Sequence, residues 1–168
     1  MGDLAKELRE RLRGRVCLVG IGNPDLGDDG FGVRLAEVMR AAGHPDVVVA
    51  GTTPERWAAR LAEEGFDTVV LLDAVSVAAE PGAVVFWPAG DLATRFPQIS
   101  THKLSLGTLA RLMEAAGRVW LLGAQPERLL PGSGLSAPVR TTLEALTTLL
   151  CDALSARAAQ PAPAWEQP

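Results

Sequence analysis

The stretch that most constrains the fold is residues 15–34, RVCLVGIGNPDLGDDGFGVR. Val16, Cys17, Leu18 and Val19 form a short apolar run that reads as a buried strand, after which the chain turns through Gly20, Gly22 and Asn23. Polar residues continue to Asp28 and Asp29, and a helical pattern begins at Gly30. A strand that gives way to a helix through an acid-bearing turn sets those acids at the carboxyl edge of a sheet. Open α/β folds bind ligands at that edge.

The rest of the chain repeats the same alternation. Leu4, Leu8 and Leu12 predict a short amphipathic helix over residues 3–13, ahead of the strand at 15–21. A long helix is expected over 30–42 with Gly43 as its stop, and a second strand at Val47-Val48-Val49. Pro54 opens a second helix that carries Trp57 and Leu61 and ends at Gly65. Residues 68–72, apolar after Thr68, fit a central strand covered on both faces, and the run ends at Asp73. A fourth strand, GAVVFW at 82–87, lies between Pro81 and Pro88. A helix over 103–116, a fifth strand at 119–122 and a final helix over about 137–157 complete the order.

This order implies a three-layer α/β/α fold around a largely parallel five-stranded sheet. The link from the third to the fourth strand, residues 74–81, is too short for a crossover helix, so the fourth strand is free to run antiparallel at an edge. At 168 residues the chain can bury about 70% of its unfolded surface as one domain. We expect that domain over residues 1–157, with 1–14 as a helical extension and the Pro- and Ala-rich 158–168 as a disordered tail.

Composition excludes several function classes. The net charge is −4 with basic residues scattered among acids, which argues against nucleic acid as the main partner. No apolar run approaches the roughly 20 residues of a bilayer span, and the charged N-terminus has no signal-peptide core, so the cytoplasm is the expected compartment. Cys17 and Cys151 sit in apolar patterns without a CxxC neighbour and read as buried free thiols.

Four residues are candidates for chemistry. Asp28 and Asp29 precede a helix, where one acid serves as an N-cap; two exceed that need, and Asp29 is the candidate for the cleft. Asp73 closes the most apolar strand, and shares a crevice with the 28–29 turn if the first and third strands are neighbours, about 4.8 Å apart. His102 lies in a polar Ser100-Thr101-His102 helix entry, whereas His44 sits in a surface-like turn between Gly43 and Pro45. Two carboxylates and an imidazole can hold a divalent transition ion with coordination positions open, although the spacings of 44 and 29 residues match no local ligand motif. A dinucleotide site fails, because position 25 is aspartate where GxGxxG needs glycine. No GxSxG or Walker-type lysine is present.

Three motifs together resemble the hydrogenase maturation endopeptidase family: GIGNPDLGDDGFGVR at 20–34, VVLLDAV at 69–75 and ISTHKLSL at 99–106, with LLGAQPE at 121–127 as a further match. The resemblance implies a twisted, mostly parallel five-stranded sheet between helices (phosphorylase/hydrolase-like). It implies an endopeptidase that removes a C-terminal peptide from a [NiFe]-hydrogenase large-subunit precursor after nickel insertion. It places the metal-contacting positions on Asp29, Asp73 and His102. The nickel is then presented by the precursor, and other divalent ions can occupy the same set. The attacking water is activated by metal or by carboxylate, or the ion polarises the scissile carbonyl; attack by water is the favoured route.

The chain departs from the family pattern at Pro24-Asp25, where an apolar pair is usual, and at Ala50-Gly51-Thr52, which has one glycine where two are common. Both bear on substrate fit. Peptidyl-tRNA hydrolase shares a Gly-x-Gly-Asn-Pro segment but not the DLGDDG continuation found here. A nickel-checking chaperone that binds the precursor without cutting would retain the same three residues.

Overall fold

The structure, a computed structural model, describes residues 2–91 and 118–158. Its strands are β1 (Val16–Ile21), β2 (Val47–Gly51), β3 (Thr68–Ala74), β4 (Val84–Pro88) and β5 (Arg118–Ala124). The helices are α1 (Gly2–Arg11), α2 (Phe31–Ala41), α3 (Ala58–Glu63) and α4 (Ala137–Ala158). Short 3-10 turns at Gly27–Gly30 and Pro54–Trp57 lead into α2 and α3. The sheet order is β2-β1-β3-β5-β4, parallel except for β4, which pairs antiparallel with β5 at an edge.

All seven residues of β3 are buried, because the strand is central and both its faces are covered. Side-chain alternation divides the core. Val70 and Leu72 pack with Leu8, Phe31, Leu35 and Leu122 on the face covered by α1, α2 and α4. Val69 and Leu71 pack with Val19, Ala58, Leu61 and Leu121 on the α3 face. Leu8 and Leu12 are fully buried, so the N-terminal helix is part of this core and lies against α4.

Contact between α2 and the sheet depends on missing side chains. A Cβ on Gly20 would come 2.5 Å from Ala36 Cβ and 2.6 Å from the Gly32 carbonyl oxygen. One on Gly32 would overlap the Leu72 carbonyl oxygen and come 2.5 Å from that of Ile21. The start of α2 is therefore seated directly on the carboxyl ends of β1 and β3.

The opposite edge of the sheet is closed by polar staples. Arg15 donates to both carboxylate oxygens of Asp46, at 3.1 and 2.8 Å, and its guanidinium lies over Phe66. A cavity of about 420 Å³ there, between β2 and α3, is remote from the acids of the β1 turn. Its polar groups are already engaged: Arg15 also pairs with Glu64, and Arg40 donates to the Val47 carbonyl.

Candidate functional site

The turn that follows β1 folds back on itself through close backbone approaches. Gly22 holds φ +129°, a conformation L side chains rarely adopt, and a Cβ there would overlap the Asp29 carbonyl oxygen. A Cβ on Gly30 would come 2.7 Å from Pro24 Cα. The fold-back brings Asp29 beneath Asn23, whose backbone N–H donates to Asp29 Oδ2 at 2.7 Å. Asp29 is 2% exposed. The start of a helix is also where the aligned peptide dipoles favour a negative charge.

Asp73 lies within β3, opposite Gly123 of β5, and does not follow the strand as a turn residue would. It is fully buried, and the Ala74 N–H donates to its Oδ1 at 2.9 Å. β1 and β3 are parallel neighbours, with Gly20 opposite Leu72. The Gly27–Gly30 turn also touches β3. The structure thus brings the Asp29 turn and Asp73 to one edge of the sheet. His102, with Ser100 and Thr101, lies outside the described residues. Among the described residues no cluster of three His, Cys, Asp or Glu side chains could hold a metal ion.

Asp28 is not the helix cap that its position suggested. Neither the Gly27–Gly30 turn nor α2 has a side-chain cap hydrogen bond. The Asp28 carboxylate is fully buried and faces the segment between β5 and α4. Its Oδ2 accepts from the backbone N–H of Glu127 at 2.8 Å, that of Arg128 at 3.0 Å and the Ser136 hydroxyl at 2.9 Å. Its Oδ1 accepts from the Ser136 N–H at 2.6 Å. Burial alone would push this carboxyl upward, but the N–H groups of Ser136, Arg128 and Glu127 and the Ser136 hydroxyl outweigh it. The group therefore titrates below its ordinary value.

Two residues that hold this region together were not singled out from sequence. Ser136, just ahead of α4, reads as an ordinary helix-start serine, yet its hydroxyl and N–H both go to Asp28. Gln125 accepts from the Val77 N–H at 2.8 Å and so fixes the link between β3 and β4 to the end of β5. The surplus acid in the 28–29 pair was the available signal for the first. For Gln125 only the LLGAQPE segment itself gave a hint.

The positions that depart from the family pattern are part of the scaffold. Asp25 donates its N–H to Asn23 Oδ1 and accepts at its carbonyl from the Gly132 N–H, while Gly51 accepts from the Gly22 N–H. His44 is half-buried with Nε2 3.1 Å from the Val16 carbonyl oxygen. Cys17 is fully buried, and burial, with Asp46 adding to it, pushes its thiol up to about 12. That places Cys17 among inert structural thiols.

Three comparisons set this α/β fold among the hydrogenase maturation proteases. The family model HycI, hydrogenase maturation protease, matches residues 32–153. The hydrogenase 3 maturation protease of Escherichia coli K12 is 31% identical over 130 residues, covering 76% of this chain and 83% of its own. HupD of Bradyrhizobium diazoefficiens, a hydrogenase expression/formation protein, is 30% identical over 152 residues, covering 84% and 78%. The crystal structure of the [NiFe] hydrogenase maturation protease HycI from Thermococcus kodakarensis superposes with a TM-score of 0.78 at 29% identity, covering 89% of this chain and 99% of that one.

The chain belongs to the hydrogenase maturation protease family. It is a peptide hydrolase, which sets aside the peptidyl-tRNA hydrolase and binding-only chaperone readings. Among the described residues no helix is long and apolar enough to cross a membrane.

Proposed function

We propose that this protein is a cytoplasmic endopeptidase that removes the C-terminal extension of a [NiFe]-hydrogenase large-subunit precursor once nickel has been inserted. Asp29, Asp73 and His102 form its metal-recognition and catalytic set. The observation that carries this reading is the arrival of two buried carboxylates at the carboxyl edge of adjacent parallel strands, inside a hydrogenase maturation protease fold. Two carboxylates and one imidazole, with no thiolate, suit a first-row divalent ion held loosely. That matches an ion that arrives already bound to the precursor.

The nickel held by the precursor contributes Lewis acidity beside the scissile bond. The chain's own residues do the rest. The Asn23 and Ala74 N–H groups each fix one carboxylate oxygen, so that both acids meet the substrate in a set orientation. A carboxylate of the pair takes a proton from water as the water oxygen bonds to the scissile carbonyl carbon. The peptide C–N bond then breaks, and the departing amine takes up the proton.

The test is cleavage of the cognate large-subunit precursor, with and without nickel, by the wild type and by His102→Ala. A nickel-dependent mass loss at the precursor C-terminus, absent with His102→Ala, supports the proposal. Equal cleavage without nickel, or by the variant, refutes it.

A further inference from the structure

Residues 127–134 are all exposed, yet they are held at both ends by a single buried carboxylate. Asp28 accepts from Glu127 and Arg128 at one end and from Ser136 at the other, and its own N–H donates to the Arg128 carbonyl at 3.1 Å. Between these anchors the Gly132 N–H donates to the Asp25 carbonyl at 2.8 Å. The Ser133 hydroxyl closes a turn on the Leu130 carbonyl, also at 2.8 Å. At Gly27 a Cβ would come 2.8 Å from Ser133 Oγ and 2.9 Å from the Arg128 carbonyl, so the segment lies flat on the turn that carries Asp29.

Beside the exposed ion pair of Arg128 and Glu127, this arrangement holds two apolar side chains outward. Leu129 is 36% exposed and Leu130 56%, two of three large hydrophobic side chains that stand exposed among the described residues. A solitary exposed leucine needs no explanation. Two in succession do, when they sit on a segment clamped to the catalytic turn. The hydrogen bonds to Asp28 fix the backbone on either side of the two leucines, so their outward position is built into the loop and marks a surface available for contact.

We infer that residues 127–134 form a fixed lip that receives apolar side chains of the hydrogenase precursor, with Leu129 and Leu130 as its contacts and Asp28 as its positioning residue. The inference rests on the proposed substrate and deepens it. The lip is continuous with the Asp29 turn, so a chain seated on it is delivered to the same sheet edge. The clamp presets the loop before binding, which spares the ordering cost that a floppy loop would incur on association.

Affinity is measured directly by calorimetry, with the purified nickel-loaded large-subunit precursor of the same organism and full-length protein. The variants are Leu129→Ser/Leu130→Ser, Asp28→Asn and their combination. The double leucine variant is expected to stay folded and to bind about tenfold more weakly or worse, since Leu130 is 56% and Leu129 36% exposed in the free protein. Asp28→Asn is expected to weaken binding similarly and to open the Arg128-Leu129 bond to trypsin. The combined variant should lose no more affinity than either alone, because a lip without its leucines has nothing left to position.

Wild-type affinity in the leucine variant overturns the lip. Additive losses in the combined variant overturn the positioning role of Asp28. Failure of the wild type to bind precursor overturns the inference together with the substrate reading. Binding that is lip-dependent but unaccompanied by cleavage supports the lip and refutes only the cleavage step.

Discussion

Replacement of Gly32 by alanine tests whether the seat of α2 positions the turn that carries Asp29 of the proposed catalytic set. Alanine is the better helix former by about 1 kcal/mol, so on propensity alone the change is stabilising. The structure predicts the reverse. The new Cβ would overlap the Leu72 carbonyl oxygen and stand 2.5 Å from that of Ile21, where ordinary contact begins at 3.4 Å. To clear Ile21 alone the helix must lift by about 0.9 Å, the difference between those distances, and Leu72 demands more. Neither obstacle can swing aside, since both are backbone atoms, one in the fully buried central strand. Overpacking against so rigid a partner belongs at the upper end of the usual range, about 3 kcal/mol. Set against the propensity gain, the net loss is about 2 kcal/mol. For a chain of 168 residues that lowers Tm by about 4–8 °C.

The same displacement moves Asp29, because the Gly27–Gly30 turn runs straight into α2. A shift of about 1 Å at a reacting group can cost on the order of 100-fold in rate. Thermal unfolding followed by circular dichroism gives the first quantity, and kcat/KM for precursor cleavage gives the second. An unchanged or raised Tm would show that α2 is not seated on these carbonyls. A lowered Tm with wild-type kcat/KM would show that the seat does not position the site.

Three further outcomes follow from individual side chains. Asp73→Asn retains an oxygen for the Ala74 N–H and should fold, while precursor cleavage falls about 100-fold or more; wild-type turnover would remove Asp73 from the catalytic set. His44 is held below its ordinary value of 6.5, by burial first, against the opposing pull of the Val16 carbonyl and Asp46. Its neutral form is the native one, so the stability it contributes is complete above pH 6.5 and is lost as pH falls through 6.5 toward the lowered native value. Urea midpoints at pH 7.5 and 5.5 should therefore differ less in His44→Gln than in the wild type, and an equal difference would refute the assignment. Cys17, with its thiol pushed up to about 12, should resist iodoacetamide at pH 8 until the protein is unfolded; mass spectrometry of the native protein checks this.

Much of the fold was legible because its signals are local. The apolar run that follows Thr68 and ends at Leu72 fitted a strand covered on both faces, and β3 is that strand. The short link before residues 82–87 forbade a crossover helix, and β4 is indeed the antiparallel edge. Asp29 and Asp73 could be named as candidates because each is an acid that closes or follows an apolar run.

Asp28 shows where this reasoning stops. An acid before a helix fits a cap so well that nothing nearby contradicts it, yet its partners lie 99, 100 and 108 residues away. Among the described residues, the sequence by itself determined which segments are strands and helices, and which acids stand near their ends, because periodicity and turn chemistry act over a few residues. Only the tertiary structure decided the strand order β2-β1-β3-β5-β4, the seating of Gly32 on the Leu72 carbonyl and the clamp from Asp28 to Ser136. Each of these pairs groups remote along the chain, and a buried carboxylate takes whichever donors the packed core brings within reach.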